Sequence, residues 1–279
     1  KENNNARGVF LQYDRGDLKP AIRERDDSHP DWRLEKVSFQ AAYADERVNA
    51  LLYLPKHVSP PYQVVVYFPG AYCLDIRDRP VAEIPRYECL LRSGRALMYP
   101  TYKGTFDRSF GGTFEALRRQ PNVWREMALQ WASDLGRSLD YLETRADIDA
   151  GRMAYLGNSM GAVEGPRLMA LNPRLKAGLL LHGGCWERGW PPAEVDPFHF
   201  APRVRAPILM VNGRDDFIFP LATSQAPLFQ LLGTPKKDKR HLVVDGGHGP
   251  LDEEIIREML GWLDRYLGPV NSLRGEGAR

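Results

Sequence analysis

Only three of the 279 residues are cysteine (Cys73, Cys89 and Cys185), and no two of them form a CxxC pair. That is too few for a disulfide framework, so a reducing and hence cytoplasmic setting is expected. An excess of one charge sign is also missing: 38 Lys and Arg stand against 36 Asp and Glu, a formal net charge of +2. A balance of this kind creates no bulk field to recruit nucleic acid or an anionic membrane. No apolar run approaches the roughly 18 residues that a membrane span needs. The amino end, Lys1-Glu2-Asn3-Asn4-Asn5, is polar and lacks the apolar core of a signal peptide. Internal repeats and long low-complexity linkers are absent too. What is present is an ordinary globular composition, 43% hydrophobic and 27% charged, at a length one α/β layered domain reaches.

Along the chain, β-like and helix-like segments alternate, the pattern of a mostly parallel sheet covered on both faces. Strands are expected at Leu34–Ala42, Val48–Leu54, Val64–Phe68, Arg95–Tyr99, Met153–Gly157, Leu175–Leu181, Pro207–Val211 and His241–Val244, about eight in all. Helices are expected at Pro80–Arg92, Trp124–Thr144, Met160–Leu171, Thr223–Leu232 and Leu251–Leu267. This divides the chain into an N-terminal extension (1–33), a catalytic-type domain (34–270) and a flexible tail (271–279). Two long irregular connections, 102–121 and 183–204, follow strands and are expected to roof the sheet edge where α/β proteins bind ligands.

Gly157-Asn158-Ser159-Met160-Gly161 matches G-x-S-x-G and sits between an expected strand and an expected helix. In that setting the serine occupies a strained strand-to-helix turn, and the flanking glycines admit neighbouring backbone without a Cβ clash. Ser159 is therefore the candidate nucleophile. Its base belongs on the loop after the last strand, where His248 stands in Asp245-Gly246-Gly247-His248-Gly249; His241 falls at the wrong end of that strand. The orienting acid belongs between the two. Arg214-Asp215-Asp216 offers two carboxylates, of which Asp216 is preferred for its Gly213-x-x-Asp216 spacing with Pro220 beyond, leaving Asp215 as the competitor. Serine, acid, histidine is the chain order expected of an α/β-hydrolase fold.

Attack on an ester carbonyl creates an oxyanion that needs two backbone N–H donors. Met160, after the nucleophile, supplies one. The second is expected from Phe68-Pro69-Gly70-Ala71-Tyr72, with Ala71 preferred and Tyr72 the alternative. His182-Gly183-Gly184 looks like an HGG oxyanion motif but follows the wrong strand, and Cys73 reads as a small buried residue rather than a second nucleophile.

With these residues in place, the chain resembles the dienelactone hydrolase-like esterases of the α/β-hydrolase superfamily, and more closely the hydrolase domains attached to some bacterial serine/threonine protein kinases. Segments carrying the likeness include Leu54-Pro55-Lys56, Tyr67-Phe68-Pro69-Gly70, Lys103-Gly104-Thr105, Asp140-Tyr141-Leu142-Glu143, Asn212-Gly213-Arg214 and Asp245-Gly246-Gly247-His248. The resemblance implies a serine esterase with the triad Ser159, Asp216 and His248. Dienelactone hydrolases proper use cysteine, so Ser159 favours general ester cleavage over lactone hydrolysis. A small acyl peptidase and a non-catalytic ligand sensor that keeps the fold are the competing readings.

Tyr72, Phe106, Phe110 and Trp186 are the expected substrate contacts, the last three from the two long connections. Arg108, Arg118 and Arg119 are candidates for attracting a carboxylate. Lys236-Lys237-Asp238-Lys239-Arg240 reads as a solvated turn. The implied partner is a small-molecule ester, with no nucleic acid or membrane; a homo-oligomer stays open. No cofactor is required by this chemistry, and the histidines lack metal-ligand spacing.

Overall fold

The computed structural model describes Tyr13 and residues 15–78, 86–187, 189–249 and 251–270. The expected tail 271–279, the polar start and the first part of the helix expected at Pro80–Arg92 lie outside the described residues. The architecture follows from a few fully apolar strands. In β4 (Tyr62–Phe68), every residue from Val64 to Phe68 has no accessible surface, so both faces of the strand are covered. The same holds for Met153–Leu156 in β6 (Ile148–Asn158) and Leu179–Leu181 in β7 (Leu175–Leu181). Strands buried on two sides belong to the centre of a parallel sheet sandwiched by helices.

Among the described residues nine strands make that sheet, in the order β1-β2-β3-β5-β4-β6-β7-β8-β9. The others are β1 (Ala21–Asp26), β2 (Trp32–Gln40), β3 (Arg47–Pro55), β5 (Ala96–Pro100), β8 (Ile208–Gly213) and β9 (Lys239–Val244). Contacts among β1, β2, β3 and β5 are antiparallel, and β5 through β9 are parallel. The order reverses where β4 lies between β5 and β6, which opens a crevice beyond the carboxyl ends of β4 and β6. The ninth strand, β1, comes from the stretch expected to be an extension. Its six residues are mostly exposed and carry Arg23, Glu24, Arg25 and Asp26, a charged edge rather than an apolar signal.

Helices fill the crossovers. Within the described residues they are α1 (Glu88–Arg92), α2 (Phe114–Arg118), α3 (Pro121–Glu143), α4 (Met160–Leu171), α5 (Ala226–Leu231) and α6 (Glu253–Leu267). The long α3 starts on Pro121 and buries Trp124, Met127, Trp131, Leu135, Leu139 and Leu142 along one side. In α6 the buried stripe is Ile255, Met259, Trp262, Leu263 and Leu267. The Asp252 carboxylate caps α6 by accepting the Ile255 N–H at 2.9 Å, and Gly268 ends it at φ 80°. The segment expected as one helix at Thr223–Leu232 begins as a π-helical turn, Leu221–Gln225, before α5. Of the charge run, Lys236–Asp238 is a 3-10 turn, while Lys239 and Arg240 begin β9. No helix among the described residues is long and apolar enough to cross a membrane.

Asp134 of α3 has no accessible surface and gathers three donors: Tyr43 hydroxyl (2.8 Å), Arg108 Nη1 (2.7 Å) and Lys103 N–H (2.8 Å). Burial raises the Asp134 pKa and Arg108 opposes that rise. This network pins the start of the connection after β5 to the body of the protein. Arg108 is thereby consumed internally, which removes it as a candidate for attracting a substrate carboxylate.

Candidate active site

Ser159 stands between β6 and α4 with φ 51° and ψ −113°, a left-handed conformation costing about 1–3 kcal/mol in a non-glycine residue. The surroundings enforce it. Ser159 N–H donates to Leu181 O (2.8 Å), tying the bend to the end of β7, and the buried Tyr155 hydroxyl donates to Gly161 O (2.6 Å). Both motif glycines are required by space. A Cβ on Gly157 would lie 2.3 Å from Gly161 O, and one on Gly161 would lie 2.2 Å from Phe68 O. The turn thus presses β6 against the loop leaving β4.

His248 reaches this serine from the loop after β9: its Nε2 is 3.0 Å from Ser159 Oγ. Its Nδ1 is 2.8 Å from Asp216 Oδ2, and the carboxylate is fully buried. Asp216 is held in turn, because its Oδ1 accepts the N–H groups of Ile218 (2.9 Å) and Phe219 (3.0 Å). An ionised Asp216 sets Nδ1 as the protonated nitrogen and leaves Nε2 as an acceptor for the serine hydroxyl. Asp215, the competitor, is exposed.

The two loops that carry Asp216 and His248 are stacked backbone on backbone. Arg214 N–H donates to Val244 O (2.8 Å) and Asp215 N–H to Gly246 O (2.9 Å), extending the β8–β9 pairing beyond Gly213 and Val244. A Cβ on Gly213 would meet Gly247 O at 2.1 Å, so only glycine permits this approach. Arg86 Nη2 donates to Gly249 O (2.5 Å) just beyond the histidine. His241 plays a different part. It sits within β9 with Nε2 3.0 Å from Asn212 Oδ1, and burial pushes its pKa down to about 4, so the neutral ring donates. Asn212 passes the contact on to Gly183 O (2.7 Å).

Ala71 opens the 3-10 turn Ala71–Leu74 after β4, and Met160 is the first residue of α4. Among the described residues neither backbone N–H has a backbone acceptor, whereas Gly161 N–H is taken by Pro69 O at 3.1 Å. Gly70 brings the two sides together: the position of a Cβ there is 3.4 Å from Ser159 Cβ. Tyr72 lays its ring beside Gly70 and turns its hydroxyl to Tyr99 (3.4 Å). His182 is fully buried at the start of its loop, with its ring 5.9 Å from that of His248. Cys73 is buried, and burial pushes the Cys185 thiol up to about 12.

A cleft of about 590 Å³ opens on Ser159, walled by Ala71, Phe114, Trp186, Ile218, Phe219 and Thr223, with Glu115, Arg118 and Glu187 at its side. Trp186 lines this cleft, but Tyr72, Phe106 and Phe110, the other expected contacts, do not. Phe106 is 1% exposed and packs on Tyr99 and Tyr72, because the Asp134–Arg108 network draws its loop inward. Phe110 is 49% exposed and sits over Gly104 near Lys103, on a different surface depression. Their place is taken by Phe114 and by Ile218 and Phe219, which sequence reasoning missed; the apolar run Phe217-Ile218-Phe219 directly after the acid was the available signal. The two long connections meet beside the cleft. Arg118 pairs with Glu187 and lies 5.0 Å from the Trp190 ring, while Phe114 packs on Trp186 (5.9 Å) and Trp190 (6.2 Å). Arg119 is exposed outside it. Among the described residues no group of three His, Cys, Asp or Glu side chains converges as metal ligands.

No model of a known protein family matches the chain. In sequence it is 30% identical over 212 residues to Cutinase 2 of Thermobifida cellulosilytica, covering 66% of this chain and 76% of that one. It is also 30% identical over 212 residues to Cutinase cut1 of Thermobifida fusca, where the alignment spans 63% of the relative's length. In three dimensions it superposes on the acetyl xylan esterase from Paenibacillus sp. R4 with a TM-score of 0.68 and 19% identity, over 89% of each chain.

Proposed function

Because the chain belongs to the α/β-hydrolase serine esterases, the family of the cutinases, and is a carboxylic ester hydrolase, we propose that Ser159, His248 and Asp216 carry its reaction through an acyl-enzyme. The observation that supports this most directly is the continuous hydrogen-bonded line Asp216–His248–Ser159, at 2.8 and 3.0 Å, ending on a strained bend.

In this reading His248 Nε2 removes the hydroxyl proton as Ser159 Oγ attacks the ester carbonyl. The carbonyl oxygen becomes an oxyanion, held by the N–H groups of Ala71 and Met160, both preorganised at element starts. His248 then delivers its proton to the departing alcohol. Water enters, His248 deprotonates it, and attack on the acyl-enzyme returns the serine with release of the acid. Asp216 keeps the proton on Nδ1 throughout and stabilises the imidazolium that forms twice per cycle. The substrate is a small-molecule ester, one side of which rests on Phe114, Trp186 and Phe219. Cleavage of cutin-like or acetylated polymers belongs to the relatives' names and is not needed by the chemistry proposed here.

The test is covalent labelling with a fluorophosphonate probe alongside turnover of p-nitrophenyl acetate. Wild-type protein should label at Ser159. Ser159→Ala should not label and should lose several orders of magnitude in kcat, leaving at most ~10³–10⁴-fold over water. A folded wild-type protein that neither labels nor turns over would instead be a ligand sensor.

A further inference from the structure

Gln225, the last residue of the π-helical turn Leu221–Gln225, has no accessible surface and does not line the Ser159 cleft. Its carboxamide nitrogen donates to two carbonyls, Gly213 O at 2.9 Å and Phe219 O at 2.7 Å. These carbonyls stand at the two ends of the loop that carries Asp216, so one NH2 group closes that loop across its base. The two acceptors also decide which way the amide faces, with nitrogen towards them. Oε1, on the other side, has no hydrogen-bond partner among the described residues. Burying a carboxamide costs free energy that an apolar side chain of the same size avoids, so filling space does not account for glutamine here.

Both ends of the clasp bear on the acid. Phe219 is held twice, its N–H by Asp216 Oδ1 at 3.0 Å and its carbonyl by Gln225. Gly213 is the residue pressed on Gly247, one position before His248. The carboxylate hangs between these fixed points with Oδ2 2.8 Å from His248 Nδ1. The π turn delivers the clasp: Gln225 N–H reaches back five residues to Pro220 O (3.3 Å), a bonding pattern that takes in one residue more than an α-helical turn.

We propose that Gln225 is a positioning residue for the reaction, acting through Asp216 by clasping the acid loop so that the carboxylate meets His248 at hydrogen-bonding distance. The proposal rests on the reading of Ser159, His248 and Asp216 as the triad. Without the two donors the ends of the loop part, the carboxylate moves off Nδ1, and the imidazole loses the partner that fixes its tautomer and orientation. Substrate contacts are untouched, so the loss falls on kcat.

Gln225→Met keeps the length of the side chain and removes both donors. With p-nitrophenyl acetate it should lower kcat about ten- to a hundredfold and leave KM within about twofold. The decisive measurement repeats the substitution in Asp216→Asn, where the acid is already out of action. There Gln225→Met should cost less than about twofold, because a residue acting through the acid has nothing left to position. A merely structural role would cost the full factor in both backgrounds. Gln225→Asn, too short to span both carbonyls, runs the same cycle if a thermal melt shows that Gln225→Met does not fold. The proposal is overturned if the folded variant keeps wild-type kcat, if its loss lies in KM, if the loss recurs in full in Asp216→Asn, or if neither variant folds. Failure of the triad reading looks different: Asp216→Asn alone would keep its turnover, or acetate hydrolysis would survive Ser159→Ala.

Discussion

Replacing Asp216 by Asn changes one oxygen into an amide nitrogen, and the structure dictates which one. Oδ1 accepts two backbone N–H groups, from Ile218 and Phe219, and an NH2 group in that position would face two donors. The amide oxygen must therefore stay there, and the NH2 must take the place of Oδ2, 2.8 Å from His248 Nδ1. An NH2 donor at that distance forces Nδ1 to accept, so the ring proton moves to Nε2. Nε2–H then faces Ser159 Oγ across 3.0 Å and cannot take its proton. The loss expected from a base held in the wrong tautomer is about 10⁴-fold in kcat at neutral pH, or ~5 kcal/mol at ~1.4 kcal/mol per decade. Stability should hardly move, since every backbone bond is kept; a shift in Tm of about a few degrees is the ceiling. The assay is p-nitrophenyl acetate turnover beside a thermal melt, with Asp215→Asn as the control, expected within about twofold of wild type because that side chain is exposed and the carboxylate on His248 Nδ1 is that of Asp216. An Asp216→Asn protein retaining a tenth of wild-type kcat, or an Asp215→Asn protein that loses its activity, refutes the reasoning.

Two further outcomes follow from the packing. Gly161→Ala places a Cβ 2.2 Å from Phe68 O, so the bend and the oxyanion loop must separate; denaturant titration should show a loss of ~1–3 kcal/mol with kcat falling alongside, and no change in either would contradict the steric account. His241, pushed by burial from its ordinary 6.5 to about 4, binds its proton more weakly in the folded protein than in the unfolded chain. The stability it preserves is therefore complete above pH 6.5 and drains away as the pH falls towards 4, by at most ~3 kcal/mol and less with partial solvation. His241→Gln keeps a donor for Asn212 and should flatten that part of the stability–pH curve, measured by denaturant midpoints at pH 7, 5.5 and 4.

Much of this site could be read before any coordinates, because the chemistry imposes local requirements. A serine on a strand-to-helix bend needs glycine on either side, and Gly157 and Gly161 are there for steric reasons the structure makes numerical. A base arriving from a loop after the last strand needs a chain that can fold back, and Gly246-Gly247-His248-Gly249 can. The family likeness was equally local, carried by short segments at strand ends. What could not be read depended on partners remote in sequence. Phe106 and Phe110 were aromatic residues in the right connection, but Asp134, on the helix that follows, decides which way that connection turns. Strand β1 escaped notice because an edge strand needs only one apolar contact side, and Arg23, Glu24 and Arg25 mask it. The walls Ile218 and Phe219 were hidden in plain view beside the acid, their role set by how Asp216 Oδ1 folds the loop around itself.

The proposed acid and base hang from β8 and β9, the outermost pair at one edge of the sheet, while the serine and the two proposed oxyanion donors grow from β6 and β4 in its middle. Gly213 has welded the first two into a single mechanical piece. A disturbance that peels the rim of the sheet removes proton transfer in one stroke, yet leaves the nucleophile and its oxyanion cradle standing on an intact interior. Turnover in this protein is thus a gauge of its margin, not of its core.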